Sequence, residues 1–227
     1  AVNVNLGEEI PVKIRLIDCV GFMVPEATGD MEQEKERMVK TPWSSRAIPF
    51  HEAAEVGTGR VIREHSTIGL LITGDGSFGE IPGENFREAE EKTVQELKKQ
   101  GKPFLILVNS QMPYKEETLQ LAESLQKKYG VTTVTANCEQ LKKEDVNNIL
   151  ERVLKEFPVT EMDFFIPKWL EILPATHWLK AQAIQVAKDM VKKVSHMKDV
   201  TSSLLEGVAE NVRSVKVQNM NMADGSI

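Results

Sequence analysis

Three apolar runs between residues 66 and 135, each followed by an amphipathic stretch, constrain this fold more than anything else in the chain. Ser66–Thr73, Phe104–Val108 and Val131–Thr135 are continuous and short, and such runs read as buried strands. Residues 84–100 set Phe86, Ala89, Val94 and Leu97 on one helical face and close at Gly101 and Pro103. Residues 115–129 repeat the pattern with Leu119, Ala122 and Leu125, closed by Gly130. Residues 142–157 turn Val146, Ile149, Leu150, Val153, Leu154 and Phe157 inward. Strands alternating with helices predict an α/β fold: a parallel sheet with helices on both faces. Ligands of such sheets bind beyond the carboxyl ends of the strands. Thr73, Asn109 and Asn137 fall at those ends.

The N-terminal stretch has period two. Val2, Val4 and Leu6 alternate with Asn3 and Asn5; after Gly7-Glu8-Glu9, Val12, Ile14 and Leu16 alternate with Lys13 and Arg15. That predicts an antiparallel hairpin with one buried face, whose second strand delivers Asp18 to the shared edge. Asp18 and Gly21 form an Asp-x-x-Gly unit. In GTPase-type NTPases such an acid meets the Mg²⁺ shell through water, and the glycine lets a backbone N–H reach the γ-phosphate. A hard cation needs carboxylate oxygen, and a peptide that flips beside phosphate cannot carry a side chain. The same four residues also read as the plain end of a buried strand, since the pattern is common by chance. A hairpin feeding the acid is the local topology of the Ras-like P-loop NTPase class, by fold analogy. The predicted sheet is therefore mostly parallel with an antiparallel hairpin strand.

Residues 22–66 carry little apolar periodicity, apart from a helix expected over 52–64 on Ala53, Ala54, Val56 and Val61. Following Asp-x-x-Gly, the segment occupies the place of a GTPase's second switch; a surface insertion is the other reading. Asp75 and Ser77, in the Gly-rich loop after the first apolar run, read as turn hydrogen-bonders or as ligand contacts. Pro158, Pro167 and Pro174 mark a linker over 158–174 between a domain at 1–157 and a second unit at 175–227. Its aromatics, Phe164, Phe165 and Trp169, with Trp178 beyond, are expected to pack as core. A helix over 177–200 follows, with His177 and His196 as surface or capping histidines, and Val215 and Val217 suit a strand.

Several function classes drop out. A net charge of −6 and no basic stripe exclude nucleic acid as the main partner. The two cysteines, Cys19 and Cys138, are too far apart in sequence to suggest a disulfide framework and suit a reducing compartment. No apolar run is long enough to span a bilayer, so any membrane contact is peripheral or made through a partner. Guanine-specific relatives of the Ras-like class place Asn-Lys-x-Asp where this chain has Asn109-Ser110-Gln111-Met112. Without the aspartate that accepts two bonds from guanine, a bound nucleotide is expected to be ATP. Asn109 also reads as a simple strand-end turn residue. No G-x-x-x-x-G-K-[ST] occurs. The phosphate cradle is expected upstream of Ala1, and this polypeptide alone is expected neither to bind nor to hydrolyse ATP appreciably.

The runs Arg15–Gly21, Met38–Trp43, Ile48-Pro49-Phe50, Glu64–Gly69, Asp75–Glu80, Gly101–Phe104 and Asn137–Leu141 resemble the stage IV sporulation protein A family of endospore-forming Firmicutes. The resemblance is strong from about Ile14 to Glu156 and weaker beyond. It implies a GTPase-like fold turned to ATP, whose hydrolysis drives self-assembly into a homopolymer, the basement layer of the spore coat. It places the protein in the mother-cell cytoplasm, at the outer forespore surface. Implied partners are a small membrane-anchoring coat peptide and other coat morphogenetic proteins. Asp18 falls on the family's Walker B acid, holding Mg²⁺ through water, with Gly21 beside it. Asn109 and Asn137, at strand ends on the sheet's ligand edge, are the residues expected to contact a bound nucleotide. The family's Walker A lysine and sensor threonines have no counterpart here, nor has the C-terminal domain that contacts the anchor. Residues 158–227 resemble the start of the family's middle domain. A non-catalytic scaffold whose loops serve only as polymer interfaces is the rival function.

Overall fold

A computed structural model describes residues 2–6, 10–27, 29, 31–32, 35–201, 204, 211–212, 215–221 and 225–227, with side chains undescribed at 2–6, 10–12 and 32. The chain separates into two compact units, Ala1–Val153 and Leu154–Ile227. The first is mixed α/β. Strands β1 (Val2–Leu6) and β2 (Ile10–Ile14) form an antiparallel pair, with Val4 opposite Val12. The Gly7-Glu8-Glu9 turn lies outside the described residues. Two further pairs are minimal: β3 (Met31–Glu32) with β4 (Lys35–Glu36), and β5 (Met38–Val39) with β6 (Ile48–Pro49).

Helix α1 (Phe50–Arg60) follows and widens into a π-type turn over Val61–His65. It starts two residues before the expected helix, after Pro49, and Gly57 and Gly59 do not break it. A Cβ at Gly57 would lie in ordinary contact with the Trp43 ring, at 3.4 Å, and one at Gly59 would meet only the flexible end of Arg63, so packing demands glycine at neither position. The Arg60 guanidinium lies 5.4 Å from the Trp43 ring centre, as Arg37 lies 5.2 Å from that of Phe50.

The parallel sheet has the order β7 (Gly69–Gly74), β8 (Phe104–Asn109), β9 (Thr133–Ala136). Leu70 pairs with Leu105, Ile72 with Leu107, and Val108 with Thr135. Helices α2 (Phe86–Lys99) and α3 (Glu116–Tyr129) make the two crossovers, and α4 (Lys143–Lys155) follows β9. Alternate residues of β8 divide the core. Phe104, Ile106 and Val108 pack with Val94, Leu97, Ala122 and Leu125 of α2 and α3. Leu105 and Leu107 pack with Ile149 and Val153 of α4. Two successive crossovers in one direction place both helices on one face, as right-handed connections require. Gly130, at φ +68°, ends α3.

β8 is covered on both faces, as its apolar run requires, but β7 is not. Leu70 is 43% and Ile72 56% exposed on the face where their partners Leu105 and Leu107 are wholly buried. The expectation of a doubly covered first strand is corrected: the layer over β8 stops before β7, which is an edge strand among the described residues.

In the second unit, α5 (Lys168–Ile172) and α6 (Trp178–Lys193) are helical, and only isolated bridges, such as Pro158 with His196, join the described extended segments. The expected long helix ends at Lys193, because Val194 and His196 turn extended before a 3₁₀ turn at Met197–Asp199. His177 caps α6, its Nδ1 accepting from the Leu179 N–H at 3.2 Å. His196 caps the 3₁₀ turn reciprocally with Asp199. Val215 and Val217 are not in a strand, and Arg213 lies outside the described residues. Phe165, Trp169 and Trp178 are exposed rather than core, while Leu170 is buried.

Candidate functional site

The loops after β7, β8 and β9 meet at one edge and are tied by named bonds. β7 ends at Gly74, and Asp75-Gly76-Ser77 turns back over it. Gly76 has φ +86°, and a Cβ there would lie 2.7 Å from the Gly83 nitrogen, so only glycine fits. One oxygen of Asp75, Oδ1, accepts from the Ser77 N–H at 2.9 Å and the Ser77 hydroxyl at 2.5 Å. The other, Oδ2, accepts from the Thr118 hydroxyl at 3.1 Å. Thr118 stands 3.3 Å from the buried Ser110 hydroxyl. Partial burial alone would raise the Asp75 carboxyl, but the hydroxyls of Ser110, Ser77 and Thr118 and the Ser77 N–H outweigh it and hold it below the usual carboxylate range. Asp75 is therefore ionised at neutral pH.

Asn109 is the last residue of β8, and its Oδ1 accepts from the Cys138 N–H at 2.9 Å. Asn137 follows β9; its Oδ1 accepts from the Glu139 N–H at 3.0 Å, and its Nδ2 reaches the Gln111 carbonyl at 3.5 Å. The Ser110 N–H donates to the Ala136 carbonyl at 3.0 Å. The structure thus brings Asn109 and Asn137 to one edge, where both side chains bind backbone and shape the loops. Ser110, where guanine-specific proteins carry a lysine over the base, is 1% exposed and cannot cover one. Burial pushes the Cys138 thiol up, which keeps it protonated and a poor nucleophile. Thr73 points inward: its hydroxyl donates to the buried Glu90, which also pairs with Arg87.

Asp18 and Gly21 are placed differently. β2 ends at Ile14, and Asp18 lies beyond it in irregular, exposed chain. The expectation of a strand running to the acid is corrected: Leu16 and Val20 are exposed and no described strand lies alongside to take up the backbone bonds. No described residue bonds to the Asp18 carboxylate, and no hydrogen bond brings it to the other three loops. Gly21 has φ +84° with open space around it, so its need for glycine is conformational. Just beyond, Phe22 packs on the core shared by α2 and α3, and the Pro25 carbonyl accepts from Asn85 Nδ2 at 3.3 Å. Among the described residues no group of three or more His, Cys, Asp or Glu could hold a metal. An exposed carboxylate with no partner among the described residues nonetheless fits Mg²⁺, which commonly takes one carboxylate and otherwise water and phosphate oxygens.

Sequence reasoning missed the relay around Asp75 and the buried Glu90. The signal for the first was present as hydroxyl residues at a strand end and in a helix's first turn. Glu90 gave none, because a glutamate on an amphipathic helix reads as solvent-facing.

The family models match the whole chain in two parts. Residues 1–158 match "Stage IV sporulation protein A, ATPase domain" and residues 159–227 match "Stage IV sporulation protein A, middle domain". The chain belongs to the stage IV sporulation protein A family. The family's protein from Bacillus anthracis is 44% identical over 200 residues, covering 88% of this chain and 41% of that protein. The one from Bacillus subtilis (strain 168) is 42% identical with the same coverage. The one from Clostridioides difficile (strain 630) is 36% identical over 228 residues, covering all of this chain and 46% of that protein. The chain thus spans less than half the length of these curated relatives. No solved structure matches it. Membership supports a role in sporulation and a nucleotide-binding domain. Among the described residues no helix is long and apolar enough to cross a membrane.

Proposed function

We propose that residues 1–158 form most of a P-loop ATPase domain of Ras-like topology, completed by a phosphate-cradling strand, loop and helix outside this sequence. Hydrolysis by the completed domain drives self-assembly of the spore-coat basement layer on the forespore surface, in the mother cell. The observation that carries this reading is the half-covered edge strand. Leu70 and Ile72 of β7 lie bare beside wholly buried Leu105 and Leu107, on the face that α4 covers over β8. One more strand and helix would cover them, each side chain contributing roughly 1.5–3 kcal/mol when fully buried. The Walker-type lysine and its cradle belong on such a segment, next to β7.

On this reading a Mg²⁺ ion, if bound, would supply neutralisation of charge developing on the triphosphate. Asp18 holds the metal's water shell, Gly21 frees a peptide N–H for the γ-phosphate, and the Asn109 and Asn137 loops frame the base. The homopolymer, the membrane-anchoring coat peptide and other coat proteins are the partners of the whole protein.

The test compares the full-length protein with its Asp18→Ala variant, by phosphate release and by sedimentation of polymer. Loss of hydrolysis with protein left unassembled is expected. Polymers formed equally by the variant would instead favour the non-catalytic scaffold.

A further inference from the structure

We infer that Asp75 is a positioning residue for the nucleotide base, acting through the Asn109–Met112 loop rather than on the nucleotide itself. The inference rests on the nucleotide reading given above.

An ionised carboxylate only accepts hydrogen bonds. The Ser77 hydroxyl must therefore give its proton to Asp75, which leaves its oxygen free to accept, and it takes the Gln111 N–H at 2.9 Å. Thr118 likewise gives its proton to Asp75, and the Ser110 hydroxyl, which also turns toward that carboxylate, lies 3.3 Å from the Thr118 oxygen. Ser110, having spent its proton, accepts from the Met112 N–H at 3.0 Å. One charge thus orients three hydroxyls, and the peptide N–H groups of two successive residues end on that relay. A relay polarised from one end is stiffer than its separate bonds.

The relay's place gives it a function. Asn109 and Ser110 face inward, Asn109 bonded to the loop after β9 and Ser110 to the last residue of β9. Gln111 and Met112 are the exposed residues of the corner, and so the ones left to meet a base. Their backbone is what Asp75 holds. Replacing the carboxylate by an amide puts a donor against a hydroxyl that was itself donating, which reverses or breaks the relay. Asp18 and Gly21, assigned above to the phosphate end, make no hydrogen bond to this network among the described residues.

The test uses the full-length protein, unsubstituted and as Asp75→Asn, Ser77→Ala and Thr118→Val, with ATP as substrate and magnesium tripolyphosphate as a base-free competitor. Asp75→Asn is expected to raise KM for ATP about tenfold, with kcat and tripolyphosphate inhibition held within about twofold. Ser77→Ala cuts one arm of the relay only and is expected to raise KM about threefold. Thr118→Val cuts the other and should act similarly. Unchanged KM in Asp75→Asn and Ser77→Ala, a fall in kcat alone, or equal weakening of ATP and tripolyphosphate would overturn the assignment, the last because it marks general damage. If the unsubstituted protein neither binds nor hydrolyses ATP, the nucleotide reading itself fails, an outcome visible without any variant.

Discussion

Removing Arg87 should damage the first unit more than removing Arg87 and Glu90 together. Glu90 is 2% exposed, and one of its oxygens, Oε1, meets both the Arg87 guanidinium and the Thr73 hydroxyl. Its other oxygen, Oε2, is buried with no hydrogen-bond partner among the described residues. Arg87→Met strips the positive partner and leaves a buried charge held by a single hydroxyl. Breaking a buried pair from one side costs about 3–5 kcal/mol. Arg87 is 30% exposed, so water screens part of the loss and about 3 kcal/mol is the better figure here. For a unit of 153 residues that lowers the melting midpoint by roughly 9 °C. The double variant Arg87→Met with Glu90→Leu removes the charge as well. It leaves only the Thr73 hydroxyl unpaired, at about 1–2 kcal/mol, and recovers part of the loss through the added apolar contact. Urea or thermal unfolding of this chain, followed by far-UV circular dichroism, measures both. A double variant less stable than Arg87→Met would refute the reasoning, since it would mean that the pair is strongly stabilising in itself.

Other expectations follow from single contacts. Gly76→Ala forces a Cβ to 2.7 Å from the Gly83 nitrogen at positive φ, and should lower unfolding stability by about 1–3 kcal/mol in the same assay. The Asp75 carboxyl is held below its ordinary range, so it contributes stability that is fully present above the unfolded value, near pH 3.9, and is lost as pH falls through the lower folded value. Unfolding midpoints measured from about pH 5 downward should therefore fall less steeply in Asp75→Asn than in the unsubstituted chain. Leu70→Lys with Ile72→Lys should reduce self-association of this chain in light scattering, and should destabilise the full-length protein, where those residues are covered under the proposed fold.

The sheet and its helices were legible because each element carried a complete local signal. The Phe104–Val108 run is buried on both faces, and Gly130 ends its helix in the left-handed conformation that favours glycine. Leu70 and Ile72 misled because an apolar run states what a strand requires, not what this stretch of chain supplies. The Asp18 strand was overextended for the same reason: alternation through Leu16 predicts pairing, and no described partner is present. In the site, Asn109 and Asn137 could be placed by their strand-end positions. The Asp75 relay could not, because Asp75 and Thr118 are 43 residues apart and meet only once β7 and α3 pack on the same sheet. The second unit was hardest to read, since its aromatic residues signal burial and Phe165, Trp169 and Trp178 stand exposed.

The central claim is that the Asp18 carboxylate serves a magnesium-bound triphosphate, and the magnesium dependence of ATP affinity tests it most directly. With the full-length protein, ATP binding measured with Mg²⁺ and with EDTA should show a metal-dependent gain in the unsubstituted form. Asp18→Asn should lose about tenfold of that gain, roughly 1.4 kcal/mol, while leaving metal-free binding unchanged. An identical metal-dependent gain in both forms would contradict the account.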